Sequence, residues 1–227
     1  MFLKRSYEKE IMDDFSINDG RIDKALDELK IVNRFLGGRN TSVAGFKYLL
    51  NGKTKRPLNV LDIGSGASDI FQKPIRKLTD LKVYSLDRNK KVCVILKNTG
   101  NRKAIFGDAL RLPFKKNSFA VVHASLFLHH FTEEEIIKII NISLSVANDG
   151  MIINDLRRSV FALAGIKFLT FLFSNSILVK NDAPLSVKRG FLKLEIKNIL
   201  QKMNIKNFKI KRKWAFRWLI IISKKQN

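Results

Sequence analysis

Cysteine is almost absent from this 227-residue chain, and no hydrophobic run is long enough to span a bilayer. The single cysteine, Cys93, excludes an internal disulfide and a cysteine metal cluster, and it fits a reducing compartment. The longest apolar run, Val160 to Phe173, is interrupted by Lys167. The chain starts without a signal-peptide pattern, and it contains no internal repeat and no low-complexity linker. These absences predict a soluble, cytoplasmic protein.

Acidic residues are also scarce. The chain has 20 of them against 43 Lys and Arg, which gives a net charge of +23. Between residues 188 and 225 there are 13 basic residues and one acid, Glu195. Such a surface attracts polyanions, so RNA or an anionic membrane surface is a possible partner of the C-terminal third. The excess of lysine, isoleucine and asparagine is also the bias expected of A/T-rich coding, and both explanations stay open at this point.

The most informative stretch is residues 59–69. Val60, Leu61 and Ile63 form a short apolar strand of the kind that is buried in a parallel sheet. Gly64-Ser65-Gly66 then allows a tight turn close to a ligand. Ser68 or Asp69 is expected to cap a following helix that carries Ile70, Phe71, Ile75 and Leu78. A strand, a glycine turn and a helix in this order are typical of a nucleotide-type site.

Two helices are predicted before this strand. Apolar residues recur at helical spacing from Asp19 to Leu36, and Gly37-Gly38 ends that helix. A second helix is expected to start with Thr41 as its N-cap and to run to Gly52. Residues 1–56 are therefore predicted to be a helical segment that either covers the site as a lid or packs on the sheet. Residues 57–227 are predicted to be the main domain, within one folding unit.

Strands and helices alternate after the glycine turn. Helices are expected from Thr132, over Val160–Phe173 and near Lys193–Met203, with a loop containing Pro184 at 181–189. Strands are expected at 82–86, 104–106, 119–124, 150–154, 205–211 and 218–223. The alternation implies an α/β fold with a mostly parallel sheet and a site at the carboxyl ends of the strands.

Two acids follow strands near the glycine turn. Asp87 lies 23 positions after Gly64, where an acid can accept hydrogen bonds from both ribose hydroxyls. Asp108 follows the next strand. A phosphate-binding loop would need Lys-Ser/Thr where Ala67-Ser68-Asp69 stands, and a dinucleotide fingerprint would need glycine at position 69. The ligand that fits these residues better is a cationic nucleoside without phosphate.

The sequence resembles the class I S-adenosylmethionine-dependent methyltransferases over nearly its whole length. Three segments carry the resemblance: 62–66, Asp87 with the adjacent Arg88, and 107–109 followed by 112–114. It implies a Rossmann-like, seven-stranded, mostly parallel sheet with helices on both faces and an N-terminal helical lid. The implied cofactor is S-adenosyl-L-methionine, bound by Asp62, Gly64, Ser65, Gly66, Asp87, Arg88, Asp108, Ala109 and Ser125. One departure is Ser68, which stands where the family motif usually has a third glycine.

Four further segments, at 33–39, 126–131, 154–158 and 182–189, resemble small-molecule methyltransferases associated with type III polyketide synthases and quinone biosynthesis. This narrower resemblance implies methyl transfer to a small phenolic, polyketide-like or quinone-like acceptor by in-line displacement. The alternative is an RNA methyltransferase, or a basic protein that binds RNA or a membrane surface, on the same fold.

A phenolic acceptor with a pKa of about 10 benefits from a base, and His130 after the fourth strand is the candidate. For both His129 and His130, a role in packing or capping has equal weight, and His123 is expected to be a satisfied core residue. Arg157 and Arg158 follow the fifth strand, where they can orient an anionic substrate oxygen or simply be solvated. No residue is assigned to a metal. The apolar stretch Val160–Phe173 is expected to be core, to line a substrate pocket or to touch a membrane.

Overall fold

A computed structural model describes residues 4–14, 19–50, 57–66, 69–71, 81–98 and 103–224. The helices are α1 Gly20–Phe35, α2 Gly38–Leu49, α3 Lys90–Asn98, α4 Glu133–Val146, α5 Val160–Phe173, α6 Ile177–Arg189 and α7 Lys193–Lys202. The strands are β1 Leu58–Ile63, β2 Leu81–Asp87, β3 Ala104–Phe106, β4 Phe119–Ser125, β5 Ala147–Leu156, β6 Phe208–Lys213 and β7 Arg217–Ser223. Short 3-10 helices lie at Ile11–Asp13, Asp69–Phe71 and Leu128–His130.

The seven strands form one sheet in the order β3-β2-β1-β4-β5-β7-β6. The first five strands are parallel, whereas β7 runs antiparallel to both β5 and β6. The predicted Rossmann-like, seven-stranded, mostly parallel sheet is thereby confirmed. In such a sheet the carboxyl ends of the parallel strands share one edge, and the residues that follow these strands meet there.

Alternate residues of the central strands face opposite layers of helices. Leu61, Val122 and Ile153 belong to the larger core, which α4 and α7 cover, while Val60 and Ile152 lie in a second core with Phe46 of α2. This two-residue alternation follows from the pleat of a strand. Helix α2 therefore belongs to a layer that packs directly on the sheet. The division at residues 56 and 57 stays a prediction, because residues 51–56 lie outside the described residues.

One predicted helix start is corrected, and a second predicted helix lies mostly outside the described residues. Helix α2 begins at Gly38 rather than after Thr41, because Gly37 takes a left-handed conformation with φ of 69° and acts as the N-cap. Thr41 lies inside this helix and is buried. The predicted helix after the glycine turn is described only as the 3-10 turn Asp69–Phe71, and its later residues Ile75 and Leu78 lie outside the described residues.

The predicted loop at 181–189 is wrong, because these residues belong to α6 and Pro184 lies within the helix. A proline inside a helix removes one backbone hydrogen bond and costs about 3 kcal/mol. Here the Ser176 hydroxyl caps the helix, and burial of an apolar face offsets the cost, with Leu178, Val179 and Leu185 in the core. Among the described residues, no helix is both long and apolar enough to cross a membrane.

Candidate active site

The glycine turn after β1 has the tight geometry that the sequence predicts. Gly64 and Gly66 have φ values of 59° and 49°, in the left-handed region that glycine tolerates. A Cβ atom on Gly64 would lie 1.9 Å from the ring of Phe127, which follows β4. A larger residue at position 64 is therefore excluded both by the backbone conformation and by contact with Phe127.

Asp87 closes β2 beside this turn. Its carboxylate accepts hydrogen bonds from the Gly66 and Asn89 backbone N–H groups, each at 2.9 Å. Burial raises the pKa of Asp87, an effect that these backbone hydrogen bonds oppose. The Arg88 N–H also donates to this carboxylate, so the donors among the described residues fill three of its about four lone-pair sites. The Ser65 hydroxyl is buried nearby and has no hydrogen-bond partner among the described residues, so the turn offers both a donor and acceptors to a ligand.

The predicted cofactor-binding residues after β3, Asp108 and Ala109, adjoin Asp87. The Gly107 N–H donates to the Asp87 carbonyl oxygen at 3.0 Å, which places the turn after β3 against the end of β2. Asp108 accepts a hydrogen bond from the Leu110 N–H through Oδ1, and Ala109 is buried. Arg88 has an exposed side chain. The turns after β1, β2 and β3 thus form one continuous surface at the carboxyl edge of the sheet.

Asp62 has surroundings that the sequence did not indicate. Its Oδ1 atom lies 2.7 Å from His123 Nδ1 in the core, and His123 Nε2 lies 2.9 Å from the Ser42 hydroxyl of α2. The expectation that His123 is a satisfied core residue is confirmed. Asp62 as a residue is only 3% exposed, and a contact between Asp62 and a cofactor stays a prediction.

The hydrogen-bonded chain that starts at Asp62 continues across the sheet. Asn154 of β5 donates from Nδ2 to the Ser42 hydroxyl at 2.9 Å and to the Ser125 hydroxyl at 3.2 Å. Arg217 of β7 donates to the Asn154 amide oxygen at 3.3 Å. This series of hydrogen bonds runs from Asp62, just before the glycine turn, to Arg217 of β7. Arg217 borders a cavity.

That cavity, here called the acceptor pocket, has a volume of about 460 Å³ and lies beyond the ends of β4 and β5. Its walls are largely apolar and come from α5, α6 and the β6–β7 turn. Ala162, Ile166, Leu169, Val179, Val187 and Phe216 are among the apolar residues that line it. Its polar groups include Glu10, His129, His130 and Arg157. A mostly apolar cavity with a few polar groups suits a small organic ligand.

His129 is the residue whose surroundings differ most from the expectation. Its imidazole is buried, with Nδ1 2.7 Å from Asp155 Oδ1 and Nε2 3.6 Å from Glu10 Oε1. Burial alone would lower the pKa of His129, but the Asp155 carboxylate and then Glu10 raise it to about 9. His129 is therefore an imidazolium near neutral pH and cannot accept a proton there.

His130, the predicted base, lies at the pocket with a partly exposed side chain. Its Nδ1 atom lies 2.8 Å from Asp13 Oδ1, and Asp13 Oδ2 lies 2.7 Å from the Arg189 guanidinium. Burial opposes ionisation of Asp13, yet His130 and Arg189 hold the pKa of its carboxyl well below the usual range. An ionised carboxylate can only accept, so neutral His130 carries its proton on Nδ1 and its lone pair on Nε2.

The N-terminal segment 4–14 supplies site residues that sequence reasoning missed. Arg5 donates to the backbone carbonyls of His129 and Phe131 at 2.9 and 3.0 Å. The carboxylate of Asp182 accepts from the backbone N–H groups of Ile11 and Met12 at 2.8 and 2.9 Å. These partners lie more than 100 positions apart in the chain, and no local pattern marks them.

The two arginines after β5 have different surroundings. Arg157 borders the acceptor pocket, where its guanidinium lies 5.0 Å from the centre of the Phe216 ring. Arg158 is buried and donates to the Gly190 carbonyl and to Glu195 at 2.6 and 2.5 Å. It is not among the residues that line the pocket. Only Arg157 is thus placed where a substrate could meet it.

Glu10, His129 and His130 bring potential metal-ligand atoms within 4.8 Å of one another. The Arg189 guanidinium lies 3.9 Å from Glu10 and 2.7 Å from Asp13. The Arg189 guanidinium thus already supplies, at the Glu10 and Asp13 carboxylates, the positive charge that a metal ion would contribute. We therefore interpret the group as a buried ion cluster.

Comparison with known proteins agrees with this geometry. Residues 60–150 match the family model described as "Methyltransferase domain". No curated protein matches the sequence. Solved structures with a similar fold include the plantazolicin methyltransferase BamL, in complex with a triazolic desmethylPZN analog and SAH, which is 16% identical with a TM-score of 0.66, covering 95% of this chain and 100% of that one.

Two more solved structures have the same fold. The plantazolicin methyltransferase BpumL in complex with SAH is 14% identical with a TM-score of 0.65, covering 94% of this chain and 99% of its own. The magnesium protoporphyrin IX methyltransferase ChlM from Synechocystis PCC 6803 with bound SAH is 17% identical with a TM-score of 0.55, covering 85% and 86%. Residues 60–150 therefore match a methyltransferase domain, and the chain has the same fold as these solved S-adenosylmethionine-dependent methyltransferases.

Proposed function

We propose that the protein binds S-adenosyl-L-methionine at the turns after β1, β2 and β3 and transfers its methyl group to a small, largely apolar acceptor. A phenolic, polyketide-like or quinone-like acceptor fits best. The observation that carries the proposal is the position of the acceptor pocket, whose rim at Leu126 and Arg157 follows β4 and β5 at the edge that carries the glycine turn. The two sites are therefore neighbours.

The residues of the glycine turn fit the cofactor. The Ser65 hydroxyl, which lacks a hydrogen-bond partner among the described residues, and the Asp87 carboxylate suit a nucleoside with vicinal hydroxyls. The left-handed Gly64 lets backbone approach a ligand closely. When bound, the cofactor supplies a methyl group already activated by its sulfonium charge. The protein therefore contributes mainly by holding the acceptor oxygen in line with that methyl group, at about 3 Å.

The acceptor pocket supports a small organic acceptor. ChlM is described as a magnesium protoporphyrin IX methyltransferase, and BamL was solved with a triazolic desmethylPZN analog. The acceptor pocket of this chain is largely apolar and about 460 Å³ in volume, which suits an aromatic ring with an apolar substituent. Arg157 at its edge suits a developing or resident negative charge on the acceptor.

His130 is proposed to accept the proton of a phenolic acceptor. Asp13 binds Nδ1–H, which leaves the Nε2 lone pair of the neutral imidazole for a proton. A base in such a position contributes about 10²-fold to 10⁴-fold. Arg189 donates from Nε to the His129 carbonyl and from Nη2 to the His130 carbonyl, at 3.1 and 2.7 Å, which holds the backbone of both histidines in place. His129 itself is a positioning group, since both of its carboxylate neighbours keep it protonated.

Calorimetric titration with S-adenosylmethionine and its demethylated product tests the cofactor assignment. We expect micromolar binding, and Asp87→Ala should lower the affinity by about one to two decades, since hydrogen bonds to a charged group contribute about 1.5–3 kcal/mol. The matched control is Glu134→Ala, which removes an exposed acid on α4. A folded protein that binds neither compound would leave the domain without the proposed activity.

A further inference from the structure

Helix α5 is apolar on both of its faces. Lys167 is its only charged residue, and a helix of this composition is usually buried in a core or in a membrane. In this structure the outward face is open to solvent, with Phe161, Phe168 and Phe171 exposed to 79%, 62% and 77%. Three phenylalanines on one face of one helix form a contiguous apolar surface of the kind that marks an interaction site.

The opposite face of α5 is a wall of the acceptor pocket. Ala162, Ile166 and Leu169 line the pocket from this helix. One helix, about 10 Å across, therefore separates the pocket from the exposed phenylalanines. Whatever covers the outward face of α5 lies within a helix diameter of the proposed acceptor.

Other exposed apolar residues border the same region. Trp214 in the β6–β7 turn is 76% exposed and also lines the acceptor pocket. Ile177 at the start of α6 is 77% exposed. Tryptophan, with an apolar ring and one N–H donor, is enriched at the boundary between membrane and water.

The charge around α5 favours an anionic lipid surface over a second copy of this chain. Lys167 and Lys180 are exposed on α5 and α6, while Asp182, the only acid in residues 160–189, is buried. Each copy carries a net charge of +23, so two copies repel each other. An anionic membrane attracts both the lysines and the rest of the basic chain.

We propose that the outward face of α5, together with Trp214, inserts into the interfacial layer of an anionic membrane. The acceptor pocket behind α5 would then take a lipophilic acceptor from the bilayer, a part of the proposal that rests on the proposed function. Helix α5 is 14 residues long. At 1.5 Å per residue it spans about 21 Å, which suits a helix lying in the plane of the interface.

Sedimentation with vesicles tests the docking surface. The test protein is mixed at 150 mM salt with vesicles of phosphatidylcholine alone or with 30% phosphatidylglycerol, two conditions chosen to separate apolar from ionic binding. We expect the wild type to bind the anionic vesicles at least tenfold more tightly than the triple variant Phe161→Ser/Phe168→Ser/Phe171→Ser. The control Val94→Ser/Leu194→Ser removes exposed apolar residues from α3 and α7 and should bind as the wild type does.

Tryptophan fluorescence gives an independent readout. The chain has two tryptophans, and Trp218 is 2% exposed, so a blue shift on adding vesicles reports burial of Trp214. We expect the shift in the wild type and its loss in the triple variant. Equal vesicle binding by both proteins would overturn the proposal in favour of charge alone. A wild-type dimer that ignores vesicles and dissociates in the triple variant would show that a second copy covers α5.

The acceptor part has its own measurement. Turnover is compared for a phenol with a long alkyl chain held in vesicles and for the same phenol without the chain in solution. We expect the triple variant to turn over the vesicle-bound phenol at least tenfold more slowly than the wild type does. Its turnover of the soluble phenol and its affinity for S-adenosylmethionine should be unchanged. No turnover of either phenol by the wild type would contradict the lipophilic acceptor and the proposed function together, while sedimentation would still decide the docking of α5.

Discussion

The protonated state of His129 predicts a loss of stability in mild alkali. The pKa of this imidazole rises from about 6.5 in an unfolded chain to about 9 in the fold, since the Asp155 and Glu10 carboxylates outweigh the opposing effect of burial. A raised pKa means that the group stabilises the fold fully below pH 6.5, and that this contribution is lost as pH rises through 9. The shift corresponds to about 3 kcal/mol, at 1.36 kcal/mol per pH unit.

The loss is confined to the alkaline side. Asp155 has a lowered pKa, because His129 outweighs the effect of burial, so its own contribution is lost only in acid. A domain is typically stable by about 5–15 kcal/mol, so a loss of about 3 kcal/mol is measurable by urea unfolding. We expect the free energy of unfolding to fall by that amount between pH 7 and 10.

A matched pair of variants isolates the effect. His129→Gln should remove this part of the alkaline decline, whereas His123→Gln, which removes the other buried histidine bonded to a carboxylate, should keep it. If His129→Gln does not fold, NMR titration of the three histidines of the wild type gives the pKa directly. A free energy of unfolding that stays constant from pH 7 to 10, with no imidazole titrating above pH 8, would refute the reasoning.

Three further predictions concern the proposed reaction. Gly64→Val should abolish cofactor binding, because position 64 meets Phe127 and has a left-handed backbone; calorimetry showing wild-type affinity would contradict the loop geometry. His130→Ala should lower turnover of a phenol at pH 7 by about 10²-fold or more with cofactor affinity within about twofold. Equal losses at pH 7 and pH 10, where the phenol ionises unaided, would make His130 a positioning residue. Raising salt from 50 to 200 mM should weaken RNA retention steeply and leave turnover of a small phenol nearly unchanged; base-dependent methylation of RNA retained at physiological salt would favour an RNA substrate.

The basic C-terminal third has a structural explanation besides ligand binding. Strand β6 is at the edge of the sheet, and its Lys209, Lys211 and Arg212 are exposed. Charged side chains, lysine above all, protect an edge strand from pairing with another chain. Lys209 and Lys211 also lie 4.3 and 5.8 Å from the centre of the Tyr48 ring. The salt dependence of RNA retention therefore decides whether these charges also bind RNA.

Local patterns predicted the parts of the fold that local physics controls. Thr132 and Glu135 form the capping box that starts α4, with the Glu135 N–H donating to the Thr132 hydroxyl and the Thr132 N–H to the Glu135 carboxylate. The apolar strand before Gly64 is where the sequence placed it. Pro184 misled the prediction because its helix is held by buried contacts distant in the chain, which outweigh its local preference.

The cofactor turns were predictable because their residues are close in sequence to the strands that position them. The ion cluster around Glu10, His129 and His130, with Asp13 and Arg189 beside it, could not be predicted in this way. Asp13 meets His130 across 117 positions and Arg189 across 176, in a segment without apolar periodicity. Sequence reasoning named His130 and Arg157 at the pocket but left His129 open, because the environment that sets its pKa comes from Asp155 and Glu10 on other elements.

The position of β7 has a consequence for synthesis of the chain. This strand lies inside the sheet, between β5 and β6, yet it follows all the other strands in sequence. Gly150 pairs with Ser223, and β5 pairs with β7 from Gly150 to Leu156. A nascent chain stalled before residue 217 would therefore leave β5 as an open apolar edge, which invites pairing with other chains. We expect a single late folding transition in force measurements on stalled nascent chains, after residues 217–223 have left the ribosome.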